Sequence, residues 1–264
     1  MQNKDSIKNT LLIGIGLCLI CAAVISVIAV GLKELQKSNA ILDQQKKIVA
    51  AADLKGFYGT TESAFDSIEE KIIDIEGGLI TDLSTEKYDL SKELKDPSRY
   101  IALSSIEDIA TIKKRENFSK VFLEYREDQL NTVILPVRGY GLWGILYGYL
   151  AISSDLNTIV GLEFYQHKET PGLGAEVDNP KWKALWRGKK IYDENGEILI
   201  KVVKGKVDNN SDMSTYEVDG LSGATLTSNG VSNLLAYWLG DSGFKKFLNN
   251  LKQENINGLS LIHI

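Results

Sequence analysis

Histidine and cysteine are almost missing from this chain. In 264 residues there are two of each. The histidines, His167 and His263, stand far apart, which excludes a zinc or haem centre built on several imidazoles. Both cysteines, Cys18 and Cys21, fall inside one apolar run, so no disulfide framework staples the remainder. Their C-x-x-C spacing suggests metal or redox chemistry only if further ligands stand near, and none does; they read as small apolar filler. A concentrated basic face is lacking too. The formal net charge is −5 with both signs mixed along the chain, which argues against nucleic acid as a partner. The one basic cluster, Lys113-Lys114-Arg115, abuts Glu116 and reads as a solvated helix face. Internal repeats and low-complexity tracts are absent from the first half of the chain. The 44% apolar and 25% charged residues are those of an ordinary globular protein, long enough for one large or two small domains.

From Leu11 to Leu32 runs a stretch of 22 residues without formal charge, long enough for a helix to cross a bilayer core and touch lipid along residues 11–32. A cleaved signal peptide would use Lys4 and Lys8 as its basic start. The apolar run is too long for that, however, and lacks a small-x-small exit. Ile20 before Cys21 also disfavours lipoprotein cleavage. The reading is a retained single-pass helix. Charge does not orient it: Lys4 and Lys8 lie on one side, and Lys33, Lys37, Lys46 and Lys47 on the other.

Past the anchor, Glu34 to Leu54 reads as a helix, as does Thr61 to Ile75 with Phe65, Ile68, Ile72 and Ile75 on one face. Pro97 marks a loop, and Ile106 to Arg115 reads as a short helix. No chemical motif stands out in this half. The second half reads as strands at Thr132–Val137, Ile145–Ile152, Ile159–Tyr165 and Ile198–Val203. Asn179-Pro180 opens a short helix through Trp186. Val231 to Leu239 and Phe244 to Leu251 read as two helices broken at Gly240 to Gly243. The fold class is α+β: a single N-terminal transmembrane helix, then a mixed sheet with packed helices. The expected division is an N-terminal tail 1–10, the membrane helix 11–32, a helical or mixed membrane-proximal region 33–130, a ligand-carrying domain 131–251 and a C-terminal tail 252–264.

Gly139-Tyr-Gly141-Leu-Trp-Gly144 fits the dinucleotide pattern G-x-G-x-x-G, and Glu163 lies about 20 residues on. That fingerprint requires a helix at its third glycine. The residues that follow here are aromatic and β-prone, so a glycine-rich hairpin is the better reading. A second feature is the turn Asp219 to Ser228 (DGLSGATLTS). Four hydroxyls, on Ser222, Thr225, Thr227 and Ser228, stand within seven residues of it, just before an amphipathic run. A helix beginning at or just after Ser228 would place Thr225 at its entrance, where free N–H groups and the helix dipole favour a phosphate. Gly223 and Ala224 would admit another molecule close to the backbone. On spacing alone, a plain turn with Ser228 as N-cap is the simpler reading.

The turn resembles the D-x-x-S-G-A-T flavinylation signature of the FMN-binding domain family. Glu163 to Glu176 (EFYQHKETPGLGAE) resembles that family's E-T-P-G-L-G segment, and Gly139 to Tyr149 its G-x-G-x-W-G hairpin. The three occur in the family's order and are followed by Trp182-x-x-x-Trp186; the resemblance covers about residues 130 to 250. The long segment 33–130 is more like the C-type subunit of sodium-translocating NADH:quinone reductases (Nqr) than the shorter G-type subunit of Rnf complexes.

The resemblance implies covalent FMN, joined by a phosphoester to Thr225 and installed by a flavin transferase of the ApbE type. It implies a bacterial inner-membrane protein with its soluble domain on the periplasmic side, among the other subunits of the Nqr complex. There it would relay electrons from NADH towards quinone in a sodium-pumping translocase, without itself holding the NADH or quinone site. A membrane segment without ionisable residues offers no sodium path. Ser222, Gly223, Ala224, Leu226 and Thr227 would shape the phosphate turn. Glu169, Thr170, Gly172, Leu173 and Gly174 would pack near the flavin ring, with Pro171 stiffening their loop, and Trp143 and Leu142 would flank it. Taken alone, Glu169 reads equally as a solvated loop carboxylate, Trp143 as ordinary core and His167 as a surface loop residue. A reading from another class is a membrane-tethered extracytoplasmic binding or assembly domain without a cofactor, which leaves the three motifs unexplained.

Overall fold

The structure, a computed structural model, describes residues 7–257. Lys4 and His263 lie outside the described residues, as does the end of the C-terminal tail from 258 onward. The chain divides into two compact units, the first ending at Gln44 and the second beginning at Gln45.

Helix α1, Ile7–Ala51, forms the described part of the first unit and contributes its last turns to the second. Nothing breaks it between the apolar run and the polar stretch that follows, so the two helices read from sequence are one. Its large apolar side chains from Leu11 to Val30 lie on all sides and are exposed, as suits a helix surrounded by lipid. Among the described residues it is the one helix long and apolar enough to cross a membrane.

The second unit continues with short helices α2 (Lys55–Tyr58) and α3 (Thr61–Asp66), then strands β1 (Ile68–Asp74) and β2 (Leu79–Thr81). Helix α4 (Leu90–Glu93), β3 (Tyr100–Ala102) and β4 (Lys114–Glu116) follow. The long strands are β5 (Phe118–Arg126), β6 (Gln129–Tyr140), β7 (Ile145–Ser153) and β8 (Ile159–Gln166). After them come α5 (Pro180–Lys183), β9 (Lys201–Val202), β10 (Glu217–Val218), α6 (Thr225–Trp238) and α7 (Lys245–Asn257). Six strands form one antiparallel sheet in the order β2-β1-β5-β6-β7-β8; β3 pairs β4, and β9 pairs β10 in parallel. The fold is α+β, a long apolar helix followed by a sheet with packed helices.

Both faces of this sheet are covered. On one lie Ile48, Val49 and Leu54, packed with Phe122, Ile134, Tyr149 and Ala151. On the other, Val133, Leu135 and Leu150 meet Val231, Leu234, Leu235 and Trp238 of α6. Ile134 faces one side and its neighbours Val133 and Leu135 the other, as strand alternation demands. Two covered faces explain the unbroken apolar run in β6. Pro136 is tolerated within it because the β5–β6 ladder reaches only Ile134, leaving Pro136 paired with β7 alone.

Several sequence expectations need correction. The stretch 61–75 is helical only through Asp66; Ile68 to Asp74 pairs with β5 instead, where β-branched isoleucines fit the pleat. Residues 106–115 form turns leading into β4, not a helix. Arg115 is buried and donates to the Ser242 carbonyl, so the basic cluster is no solvated helix face. Of 198–203 only Lys201–Val202 is strand. Helix α6 begins at Thr225 rather than at or after Ser228, and α7 runs to Asn257, into the stretch read as tail. Residues 33–130 supply three of the six strands of the large sheet and the start of β6.

Candidate functional site

Three segments distant in sequence meet at one end of the sheet. The β6–β7 hairpin turn is closed by Gly141 N–H donating to the Gly144 carbonyl at 2.8 Å. It is indeed a hairpin, since the residues after Gly144 form β7 and not the helix a dinucleotide fingerprint needs. It presents Leu142 and Trp143 to solvent; Trp143 is 62% exposed and is not the core residue it resembles alone. Beyond β8, Thr170 accepts through its carbonyl from the N–H groups of Leu173 and Ala175, each at 3.1 Å, and Gly172 takes φ +76°. Thr170, Pro171, Gly172 and Leu173 are exposed, whereas Gly174 and Glu169 are buried.

The third segment is the hydroxyl turn. Trp182 Nε1 donates to the Asp219 carbonyl at 2.8 Å, and Asp219 Oδ1 accepts from Val207 N–H at 2.8 Å. Gly223 holds φ +72°, a conformation that favours glycine. Ser228 lies within the helix and its hydroxyl accepts from Leu221 N–H at 3.0 Å, so it ties the turn down rather than acting as N-cap. The N-cap is Ala224, which offers no side-chain acceptor. The first-turn N–H groups of α6 are therefore without the usual capping oxygen. Thr225, at the first helical position, is exposed, as are Ser222 and Leu226.

Glu169 joins the three. Its Oε1 accepts from the N–H groups of Leu142 and Trp143, both at 3.0 Å, and its Oε2 from the Thr227 hydroxyl at 2.5 Å. It is thus a buried, fully engaged carboxylate, not a solvated one. His167 is mostly buried too: Nε2 is 2.9 Å from Asp178 Oδ2, and Nδ1 accepts from Glu169 N–H at 3.2 Å. Glu163 sits between Lys47 and Lys183, the latter at 2.6 Å. On the inner side of α6, burial pushes the Tyr237 hydroxyl up to about 12.

Thr225 therefore stands at an uncapped helix N-terminus, and the three segments that Glu169 joins carry four exposed apolar side chains, Leu142, Trp143, Leu173 and Leu226. The arrangement fits FMN: the helix end suits a phosphate, and the apolar face suits a flat aromatic ring. It is an open face. A cavity of about 250 Å³ is lined by Lys189, Lys206, Val207, Asp219 and their neighbours, and by none of those four side chains or Thr225. What sequence could not reveal is the Glu169–Thr227 bond, which spans 58 positions.

The FMN-binding domain family matches residues 141–240. The C-type subunit of the Na(+)-translocating NADH-quinone reductase from Pseudomonas aeruginosa is 50% identical over 258 residues, covering 96% of this chain and 99% of that protein. Its counterpart from Vibrio alginolyticus is 44% identical over 257 residues, covering 97% and 99%. The crystal structure of Shewanella oneidensis NqrC superposes with a TM-score of 0.72 at 34% identity, covering 79% of this chain and 96% of that one. The crystal structure of the Parabacteroides distasonis counterpart gives 0.62 at 31%, covering 82% and 96%.

Proposed function

The chain belongs to the family of C-type subunits of Na(+)-translocating NADH-quinone reductases, and on that premise we propose that it carries FMN on Thr225 through a phosphoester and relays electrons towards quinone within such a complex. The observation that carries this reading is the exposed threonine at the uncapped start of α6, in a group of three segments that Glu169 joins and that carry exposed apolar side chains. When bound, FMN supplies reversible electron transfer.

The chain's own part is to attach, orient and shield. Thr225 Oγ bonds to the phosphorus; relative to free FMN, the hydroxyl proton leaves with one phosphate OH group as water. A threonine hydroxyl needs activation for this. Both Glu169 oxygens and both His167 nitrogens are already engaged, so a separate flavin transferase supplies it. The first-turn N–H groups and the dipole of α6 stabilise the phosphate charge. Ser222, Gly223, Ala224, Leu226 and Thr227 shape the turn; Leu142, Trp143 and Leu173 flank the ring; Thr170, Gly172 and Gly174 set the backbone beside it.

Residues 11–32 cross the bacterial inner membrane, with the soluble body on the periplasmic side. Residues 33–130 support the 131–251 segment that carries the flavin. The other subunits hold the NADH, quinone and sodium sites. Expression of the full chain with a flavin transferase, followed by denaturing electrophoresis and mass spectrometry, tests the attachment. The expected result is a fluorescent band heavier by one FMN less water, abolished by Thr225→Ala. A colourless wild-type band overturns the flavin reading, and fluorescence that survives Thr225→Ala overturns the residue assignment.

A further inference from the structure

Neither Glu169 nor Thr227 reaches the open face around Thr225. Thr227 is fully buried and Glu169 is 6% exposed. Thr227 lies two positions past Thr225, about 200° around the helix, so an outward Thr225 requires an inward Thr227. The carboxylate it meets takes three neutral donors from the other two-thirds of the site: two hairpin N–H groups and this hydroxyl. Charge-assisted bonds of this kind are the stronger ones.

The surrounding backbone is shaped to admit this carboxylate. A Cβ at Gly141 would stand 2.6 Å from Glu169 Oε1. A Cβ at Gly174 would collide with both Glu169 Oε2 and the Thr227 hydroxyl. Glu169 is held from behind as well, since its own N–H donates to His167 Nδ1, whose other nitrogen bonds Asp178.

We propose that the Glu169–Thr227 pair is an internal clamp that fixes the 141–144 hairpin and the 169–174 loop onto the first turn of α6, so that both are positioning residues for modification at Thr225 and not flavin contacts. This rests on the reading that Thr225 carries FMN. The clamp sets the rotation of α6 at its entrance and hence the outward presentation of Thr225. It also sets where Leu142 and Trp143 stand beside that hydroxyl. Losing it frees all three segments at once while leaving the attachment oxygen untouched.

The test uses the full chain, purified from cells without a flavin transferase, in wild-type form and as Thr227→Val, Thr227→Ser, Glu169→Ala and the Glu169→Ala/Thr227→Val double variant. Loading by purified transferase and its flavin donor is followed by fluorescence, and amide exchange at Leu142 and Trp143 is measured on the unmodified protein. Thr227→Val and Glu169→Ala are each expected to slow loading by roughly tenfold to a hundredfold, and Thr227→Ser to restore it. Because the two act through one bond, the double variant is expected to be no slower than the worse single one. Glu169→Ala is expected to speed exchange at the two hairpin amides by about tenfold. Loading of Thr227→Val at the wild-type rate overturns the proposal, and so does unchanged exchange at both amides in Glu169→Ala. If Glu169→Ala does not fold, the Val and Ser variants at 227 decide alone. A wild-type chain that never loads refutes the flavin reading instead, and the exchange result on unmodified protein then still judges the clamp.

Discussion

Gly230→Ala sets helix propensity against packing, and the geometry decides the sign. Gly230 lies inside α6, where replacing glycine with alanine would by itself stabilise by about 0.5–1 kcal/mol. A Cβ there, however, would collide with the Tyr140 carbonyl oxygen and stand 3.1 Å from Gly141 Cα. These are backbone atoms at the end of β6, so no rotamer change relieves the overlap. The helix cannot slide away cheaply either. Trp238 Nε1 donates to the Arg138 carbonyl at 2.7 Å, and Leu234 packs where a Cβ on Gly139 would stand only 2.5 Å from its own Cβ. Overpacking of this kind costs about 3 kcal/mol, the upper part of the usual range. Net of the propensity gain, destabilisation of roughly 2 kcal/mol is expected, a fall in Tm of about 4–8 °C for a unit of this size. The displaced hairpin would also carry the Leu142 and Trp143 N–H groups away from Glu169, so flavin loading should slow as well. Thermal unfolding of the full chain by circular dichroism reads the first effect. A Tm equal to or above that of the wild type would refute the reasoning, because propensity would then have won and α6 could not lie so close to β6.

Arg138 and Glu116 form a buried ion pair, each 3–4% exposed. Arg138→Met should cost about 3–5 kcal/mol in urea unfolding by leaving Glu116 uncompensated, and adding Glu116→Leu should recover most of it; a double variant no better than the single would contradict this. Burial alone would raise the Asp155 carboxyl, but hydrogen bonds from Thr158, Lys190 and the Asn157 N–H outweigh it and hold the group well below the usual carboxylate range. A depressed folded-state pKa gives stability that is full above the unfolded value near 3.9 and is lost as pH falls below it. The stability gap between wild type and Asp155→Asn should therefore be flat from about pH 8 to pH 5 and narrow below about pH 4, and a gap unchanged down to about pH 2.5 would count against it. Trp143→Ala removes a mostly exposed side chain, so stability should move by no more than about 0.5 kcal/mol. The visible circular dichroism of the loaded flavin should change, and a large fall in Tm with an unaltered spectrum would show that Trp143 packs as core.

The parts of this structure legible in sequence are those whose signal is local. β6, β7 and β8 announce themselves as apolar runs punctuated by glycines, and the refusal of a helix after Gly144 follows from the aromatic residues there. The hydroxyl turn and its neighbouring loop are recognisable by residue type and order. Where partners lie far off, the reading fails. Ile68, Ile72 and Ile75 fit a helical face, and only pairing with β5 makes Ile68–Asp74 a strand. Arg115 looks solvated beside two lysines, yet its acceptor is the carbonyl of Ser242, 127 positions away. Glu169 looks like a loop carboxylate because the donors that bury it stand 26, 27 and 58 positions distant.

The half of the chain without chemical motifs has a physical task. On the proposed reading the chain is an electron relay, whose group must be reachable and so belongs on an open face, and an open face made of turns has little rigidity of its own. Here each turn is the end of something covered. The 141–144 hairpin closes β6 and β7, which are buried on both sides, and β6 leans on β5 and through it on β1. Helix α6 brings Thr225 to the same end by lying against β6 where glycines permit close approach. The last turns of α1 press equally closely on β8, since a Cβ at Gly161 would stand 2.5 Å from the Ala51 carbonyl oxygen. The strands and the covering helix drawn from residues 45–126 are thus what hold three turn segments in one register, and a buried carboxylate suffices to join them only because each already ends a rigid element.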